Sequence, residues 1–412
     1  MASDTKIPIL DLQPEILSIW DELMPALEAT IKGTQFIMGP NVKAFEQYLS
    51  MLPSSPPVAK TGQMDIFVVQ GLFMSNWDEQ DSHCTIAQDY QDARRICDVL
   101  DIPLHRANFA PEYRQQVFSH FLREYRAGRT PNPDVLCNRE IKFGSCLAYM
   151  LRLGANRMAT GHYARVLEGP DGVLLARACD DSKDQSYFLH AVARDALKRT
   201  LFPIGHLQKS EVRRIAWQQG LPVFDKPDST GICFIGERPF QEFLMRYVDP
   251  EPGPIETPSG AILGEHQGLP FYTLGQRSGL HLGGKRGAAA APWYVASKDA
   301  GRNALIVVQD PQHPLLLSDE ILVQSAHWFR SPPAQFACSV KTRYRQPDVA
   351  CEVSIIEDSS LRVRLGHPVR AVTPGQFAVF YDGDCCLGGG TIVERALHAP
   401  IAYNHGLSSE VS

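Results

Sequence analysis

Apolar residues near the start of the chain recur with a helical period: Ile16, Ile19, Trp20, Leu23, Leu27 and Ile31, with Pro25 starting or kinking the helix. Pro53–Pro57 is rich in Pro and Ser and reads as a linker. Beyond it, strand and helix patterns alternate. Ile66–Met74 predicts a buried strand. Thr85–Leu100 predicts an amphipathic helix, with Ile86, Tyr90, Ala93, Ile96 and Cys97 on one face. Ile102–Phe109 predicts a short strand, and Glu112–Arg126 a helix that turns Val117, Phe118, Phe121, Leu122 and Tyr125 inward. A third helix follows Asn132 and Pro133, and Arg157–Val166 and Val173–Ala178 are strand-like. Strands alternating with helices predict a parallel α/β sheet with ligand sites at the strand C-termini.

From about Arg238 the texture changes. Gly and Pro are frequent between Pro250 and Pro292, and helical periodicity fades. After it come short β-rich runs: Ala304–Val308, Ile321–Ser325, Ala337–Tyr344, Ala350–Ile356, Leu361–Leu365 and Phe377–Tyr381. These predict a small antiparallel barrel. The boundaries drawn are an N-terminal fragment and linker over 1–57, an α/β domain over 58–237, a central domain over 238–304, a barrel over 305–401 and a tail over 402–412.

Composition changes this picture little. The chain has 412 residues, 44% hydrophobic and 21% charged, so two or three packed domains are expected. A formal charge of −6 argues against a passive nucleic-acid coat and leaves a selective RNA enzyme open. None of the ten cysteines forms a Cys-x-x-Cys pair, so neither a zinc ribbon nor a thioredoxin motif is indicated. No apolar run reaches the roughly 20 residues needed to span a bilayer, and a cytoplasmic protein with reduced thiols is expected.

Five segments are candidates for chemistry. In Gly128–Asn138, Pro131 and Pro133 fix a turn, and a helix starting after Pro133 puts Asp134 and Cys137 on one face. A carboxylate beside a thiol suits acid/base and nucleophilic work, and a Pro-capped helix with a core cysteine is equally compatible with the segment. In Asp228–Arg238, Cys233 lies between two glycines, where a thiol can swing as a persulfide carrier or simply be buried. Ala159–Tyr163 ends a strand with Gly161 and His162, leaving room for a nucleotide or for an ordinary turn. Asp181–Phe188 reads as a helix cap or a phosphate-contacting loop. Lys341–Gln346 sets cations around Tyr344, as RNA contact requires and as a solvated strand face also allows.

Together with Gly71–Trp77, Gly264–Gly268, Thr273–Arg277 and Thr373–Gln376, these segments resemble in order and spacing the tRNA-specific 2-thiouridylase (MnmA) family, over about 71–401. The resemblance implies an ATP-pyrophosphatase domain of the adenine nucleotide alpha hydrolase type, a small central domain and a C-terminal antiparallel β-barrel. It implies ATP, with Mg2+, activating O2 of the wobble uridine in tRNA, and a persulfide charged by a sulfur-relay protein replacing that oxygen. The persulfide would sit on Cys233 and the other nucleophile would be Cys137, with a disulfide between them closing the cycle. Asp134 would be the acid/base, and Asn132, Pro133 and Asp134 would line the target base. Met74 and Gly161 would contact the nucleotide. His162, Lys183, Asp184, Gln185, Arg343, Tyr344 and Gln376 would contact tRNA.

The family's first strand leads into a Ser-Gly-Gly phosphate loop, and no such string stands in Met1–Gln70. Ile7–Glu46 there resembles the start of DegT/DnrJ-type sugar aminotransferases, without the lysine that would bind pyridoxal phosphate, so that cofactor is not expected. The α/β domain is therefore expected to be truncated. Two function classes stay open: an active tRNA 2-thiouridine synthase, and a tRNA-binding remnant impaired in catalysis. Cys233→Ser is expected to abolish thiolation and leave tRNA affinity unchanged; thiolation at the parent rate would remove Cys233 from the persulfide role.

Overall fold

The computed structural model describes residues 68–77, 86–169, 172–226, 240–282, 291–356 and 360–398. The N-terminal helix, the Pro/Ser linker, the aminotransferase-like stretch and Cys233 lie outside them.

Strand β1 (Gly71–Ser75) runs through helix α1 (Ile86–Leu100) to a parallel neighbour, β2 (Leu104–Asn108), in the register Gly71↔Leu104. Gly71 is required by close packing, because a Cβ there would lie 2.8 Å from Cys97 Sγ. Ala110–Tyr113, Arg114–Phe118 and Ser119–Arg126 run on as one helix, α2. Pro133–Leu136, Cys137–Cys146 and Leu147–Arg152 do the same as α3. Both helices have wide π-type turns in the middle, a local geometry common near functional sites. An aromatic core fixes α2. Phe118 packs edge-on to Trp77 at 5.0 Å and to Tyr247 at 4.9 Å, and Phe121 tilts against Tyr125 at 4.7 Å.

The run Arg157–Val166 divides. Met158–Ala159 is β3, and Ala164–Gly169 is a separate strand, β4, in an antiparallel hairpin with β5 (Gly172–Arg177). The expected parallel placement is thus corrected for β4 and β5. Neither strand is buried throughout, as a parallel strand covered on both faces would be, and the hairpin joins the C-terminal sheet instead. Short helices α4 (Ser186–Leu189) and α5 (Arg194–Leu197) lead to β6 (Thr200–Leu201), the parallel partner of β3. Helices α6 (Lys209–Gln218) and α7 (Phe240–Leu244) follow. Among the described residues, β1–β2 and β3–β6 are separate parallel pairs. Helix α3 links them, since Met150 packs against the cores on both sides.

The central domain is a four-stranded sheet in the order β8-β7-β10-β9, from β7 (Gly253–Glu256), β8 (Ile262–His266), β9 (Tyr294–Asp299) and β10 (Ala304–Val308). The sequence pattern assigned Ala304–Val308 to the barrel. All five of its residues are buried, which suits a strand with neighbours on both sides, and it lies between β7 and β9.

The barrel comprises β11 (Leu317–Trp328), β12 (Gln335–Lys341), β13 (Val349–Ile355), β14 (Leu361–Arg370), β15 (Phe377–Asp382) and β16 (Cys385–Leu397). The order β11-β14-β13-β12-β15-β16 is closed by pairing of β11 with β16, and β16 also carries β5. Strand β16 was not foreseen, because Gly388-Gly389-Gly390 reads as a turn. The glycines serve close approach instead: a Cβ on Gly388 would lie 2.1 Å from His327 O, and one on Gly389 2.6 Å from Ala378 O and 2.7 Å from the His190 ring. Gly389→Ala should therefore destabilise the fold by about 1–3 kcal/mol in urea denaturation. A change below about 0.5 kcal/mol would show that the strand can shift to admit a methyl group.

Candidate functional site

The site is built on the turn that joins α2 to α3. Gly128, at φ 73°, ends α2, and its N–H donates to Tyr125 O at 2.9 Å. Arg129 forks onto the Glu124 carboxylate at 2.6 and 2.7 Å. Thr130 N–H donates to Pro374 O at 3.0 Å, and Gln376 Nε2 donates to Thr130 O at 2.8 Å. Thr130 Oγ1 lies 3.3 Å from Thr273 Oγ1 of the central domain. The turn is thus held by the other two domains. Gly375 permits the approach, since a Cβ there would lie 2.9 Å from Thr130 N and O.

Asn132 then caps α3. Its Oδ1 accepts from Asp134 N at 3.2 Å and Val135 N at 3.4 Å, and Pro133 fills the first helical position, where no N–H is needed. The expected face forms, with Asp134 and Cys137 three residues apart on one continuous helix. Cys137 is 3% exposed, with Asn76 Nδ2 4.0 Å from its Sγ. Burial raises the Asp134 carboxyl above the usual carboxylate range, and the nearby Lys142 charge opposes that rise. A carboxyl held this way exchanges a proton nearer neutrality than an exposed one does.

The C-terminal ends of both parallel pairs face α3. Asn76 follows β1. Gly161 and His162 follow β3, and the His162 ring lies 5.6 Å from that of Phe143 on α3. His162 shares a hydrogen bond of 2.9 Å between Nδ1 and Thr160 Oγ1. Burial, with the Lys142 charge, pushes the imidazole down to about 3, so it is neutral at physiological pH. Among the described residues, Ser75 Oγ and Asn76 Oδ1 are buried with no hydrogen-bond partner, and nothing lies within 4 Å of where a Gly161 Cβ would be. Open space and unfilled polar atoms at strand ends suit the nucleoside of ATP. Met74, on β1, is half-buried and packs against the neighbouring core.

The remaining sequence candidates divide between surface and scaffold. Asp184 is buried and accepts from Ala178 N at 3.0 Å, Ser186 N at 3.2 Å and Ser186 Oγ at 2.8 Å. Gln185 brackets Tyr163, accepting from its N–H at 2.9 Å and donating to its carbonyl at 2.7 Å. That fixes the Gly161–His162 strand end. Lys183 is half-buried on the same turn. Asn138 Nδ2 donates to Phe188 O at 3.1 Å and ties α3 to this run. Arg343 turns inward, donating to Leu274 O and Ala371 O at 2.8 Å and to Thr373 Oγ1 at 2.7 Å. Tyr344 leans on Phe188, with ring centroids 4.4 Å apart. Sequence reasoning missed Lys142, whereas Ser75, Asn76, Asn138 and Thr273 stood in quoted strings without a role. A single lysine inside a helix carries no motif.

The domain order of this site agrees with three family models, described as "tRNA methyl transferase HUP domain" over residues 55–237, "tRNA methyl transferase PRC-barrel domain" over 241–309 and "Aminomethyltransferase beta-barrel domain" over 318–392. The chain is thus of the class that joins a HUP-type, ATP-pyrophosphatase-like domain to a PRC-barrel-like domain and a closed antiparallel barrel. It is 56% identical over 330 residues to the tRNA-specific 2-thiouridylase MnmA of Chromohalobacter salexigens, covering 79% of this chain and 86% of that protein. It is 53% identical over 336 residues to that of Vibrio cholerae, covering 80% and 90%, and 54% identical over 333 residues to that of Marinobacter nauticus, covering 79% and 85%. The chain belongs to the MnmA family of enzymes.

The buried imidazoles generate a pH prediction. His190, fully buried beside Phe377, is pushed down by burial to about 4, and His162 to about 3. Below the ordinary histidine value near 6.5, the unfolded chain binds protons at both positions that the folded chain does not. Stability is full above that value and falls as the pH drops. His162→Gln should lessen the acid-side slope by about one proton, roughly 1.4 kcal/mol per pH unit between pH 6 and 4. An unchanged slope would mean that His162 is protonated in the folded chain.

Proposed function

We propose that this chain is a tRNA 2-thiouridine synthase, transferring persulfide sulfur to C2 of the wobble uridine in an ATP-dependent reaction. The observation that carries the reading is the Asn132–Cys137 helix start. It sets a carboxyl of raised affinity for protons and a thiol on one face, beside the end of β1, whose Ser75 Oγ and Asn76 Oδ1 have no partner among the described residues, and the open end of β3. Asn132 and Pro133 shape the entrance for the target base, and Asp134 holds or moves a proton there. Bound ATP, with Mg2+, would supply activation of O2 as a leaving group. Ser75, Asn76, Met74 and Gly161 would hold its nucleoside.

The terminal sulfur of a persulfide on Cys233 bonds to C2, and the C2–O2 bond breaks, the activated oxygen leaving with its electron pair so that sulfur takes its place. The Cys137 thiolate then attacks Cys233 Sγ, the S–S bond to the transferred sulfur breaks, and a Cys137–Cys233 disulfide forms. A thiolate must be the attacking species, and an adjacent acid/base group serves that need. The partners are tRNA and a sulfur-relay protein, in the cytoplasm; among the described residues no helix is long and apolar enough to cross a membrane. Lys183 would contact tRNA, on a turn that Asp184 and Gln185 hold from within, beside the buried His162. Arg343, Tyr344 and Gln376 would form a second tRNA-facing group, on the barrel edge. Among the described residues the buried Arg343 Nε has no acceptor, while its other bonds hold the segment from which Tyr344 would meet RNA.

A specific observation favours the second reading, a tRNA-binding remnant. No Ser-Gly-Gly loop stands in Met1–Gln70, and among the described residues β1 and β3 each pair on one edge only. A mercury-affinity gel of unmodified tRNA incubated with the chain, ATP and a persulfide donor separates the two. The expected result is an ATP-dependent shifted band that disappears in Cys137→Ser, with tRNA affinity of the variant unchanged. No shift in the parent, with tRNA still bound, would establish the remnant reading.

A further inference from the structure

Lys298, on β9, reaches out of the central sheet to the turn that feeds α3. Its Nζ donates to Gly128 O at 2.9 Å. Lys298 is half-buried, desolvation holds its ammonium down at about 8, and among the described residues no carboxylate pairs with it. A half-buried cation without a counter-charge adds little stability, and an apolar side chain of similar length would fill the space at lower cost. What Lys298 does provide is a charge-assisted hydrogen bond on one backbone carbonyl. That carbonyl belongs to the left-handed residue at which the chain leaves α2, four residues before the Asn132 cap. Thr273 touches Thr130 from the same domain.

We propose that Lys298 is a positioning residue, whose bond to Gly128 O, with Thr273 on Thr130, fixes the path into α3 and so sets the presentation of Cys137. This rests on the reading of Cys137 as a working thiol. The central domain thereby braces the backbone that carries Asn132, Asp134 and Cys137.

The test is iodoacetamide alkylation of the full-length chain, quantified cysteine by cysteine by peptide mass spectrometry, which needs neither tRNA nor turnover. Failure of the proposal is thereby distinguishable from absence of thiolation activity. In Lys298→Met, Cys137 is expected to react at least about fivefold faster than in the parent, as loss of a half-buried hydrogen bond allows. Cys351, buried in the barrel, serves as the control and should keep its parent rate. General loosening of the fold would raise both. Lys298→Arg, which can still donate to Gly128 O, should return Cys137 to near the parent rate. A parent-like Cys137 rate in Lys298→Met, an equal rise at Cys351, or equal reactivity in the Arg and Met variants would overturn the proposal. If Lys298→Met does not fold, Thr273→Val decides: faster alkylation confined to Cys137 supports the proposal, and a parent-like rate overturns it.

Discussion

The structure depends on one clamped turn. The Thr130 backbone is held on both sides, its N–H by Pro374 O and its carbonyl by Gln376 Nε2, while Thr273 meets its hydroxyl. Two residues later Asn132 begins α3, so the barrel and the central domain both bear on where α3 starts. A loop so placed would otherwise bury backbone groups without partners, which is costly. Here those groups are satisfied across domain boundaries, and orientation is transmitted with them.

Helix α3 extends that constraint to the groups proposed to react. It carries Asp134 and Cys137 at its start, is tied to Phe188 O through Asn138, and packs Met150 into the cores on both sides. Burial raises the Asp134 carboxyl and lowers the His162 imidazole. Both groups are therefore uncharged over a wider pH range than they would be in water. Lys142 acts on each, opposing the shift of the carboxyl and adding to that of the imidazole. Opposed shifts of this kind around one helix start are what the proposed proton transfer by Asp134 would need.

Much of this was legible in the sequence. The helical period of Val117, Phe118, Phe121 and Tyr125 found the buried face of α2, and the Pro131–Pro133 spacing found the start of α3. Period alone could not place Ala304–Val308, because a fully apolar run does not say which sheet surrounds it. Strand β16 was hidden by its glycines, which read as turn formers until their neighbours are known. The cation-rich Lys341–Gln346 run suggested an outward-facing surface, yet the Arg343 guanidinium turns to three oxygens of its own chain. Arginine patterning does not distinguish an outward phosphate contact from an inward brace. Asp184 offers the same lesson, since its acceptors are filled by Ala178 and Ser186. Cys233, the other half of the proposed chemistry, lies outside the described residues.

The central claim, that the other two domains hold the turn leading into α3, is tested most directly by hydrogen–deuterium exchange at single-amide resolution on the free chain. The account predicts that Thr130 N–H, although it lies in a connecting turn, exchanges as slowly as barrel amides such as that of Val379. Exchange of Thr130 on the rapid timescale of an exposed loop, while the barrel amides stay protected, would contradict it.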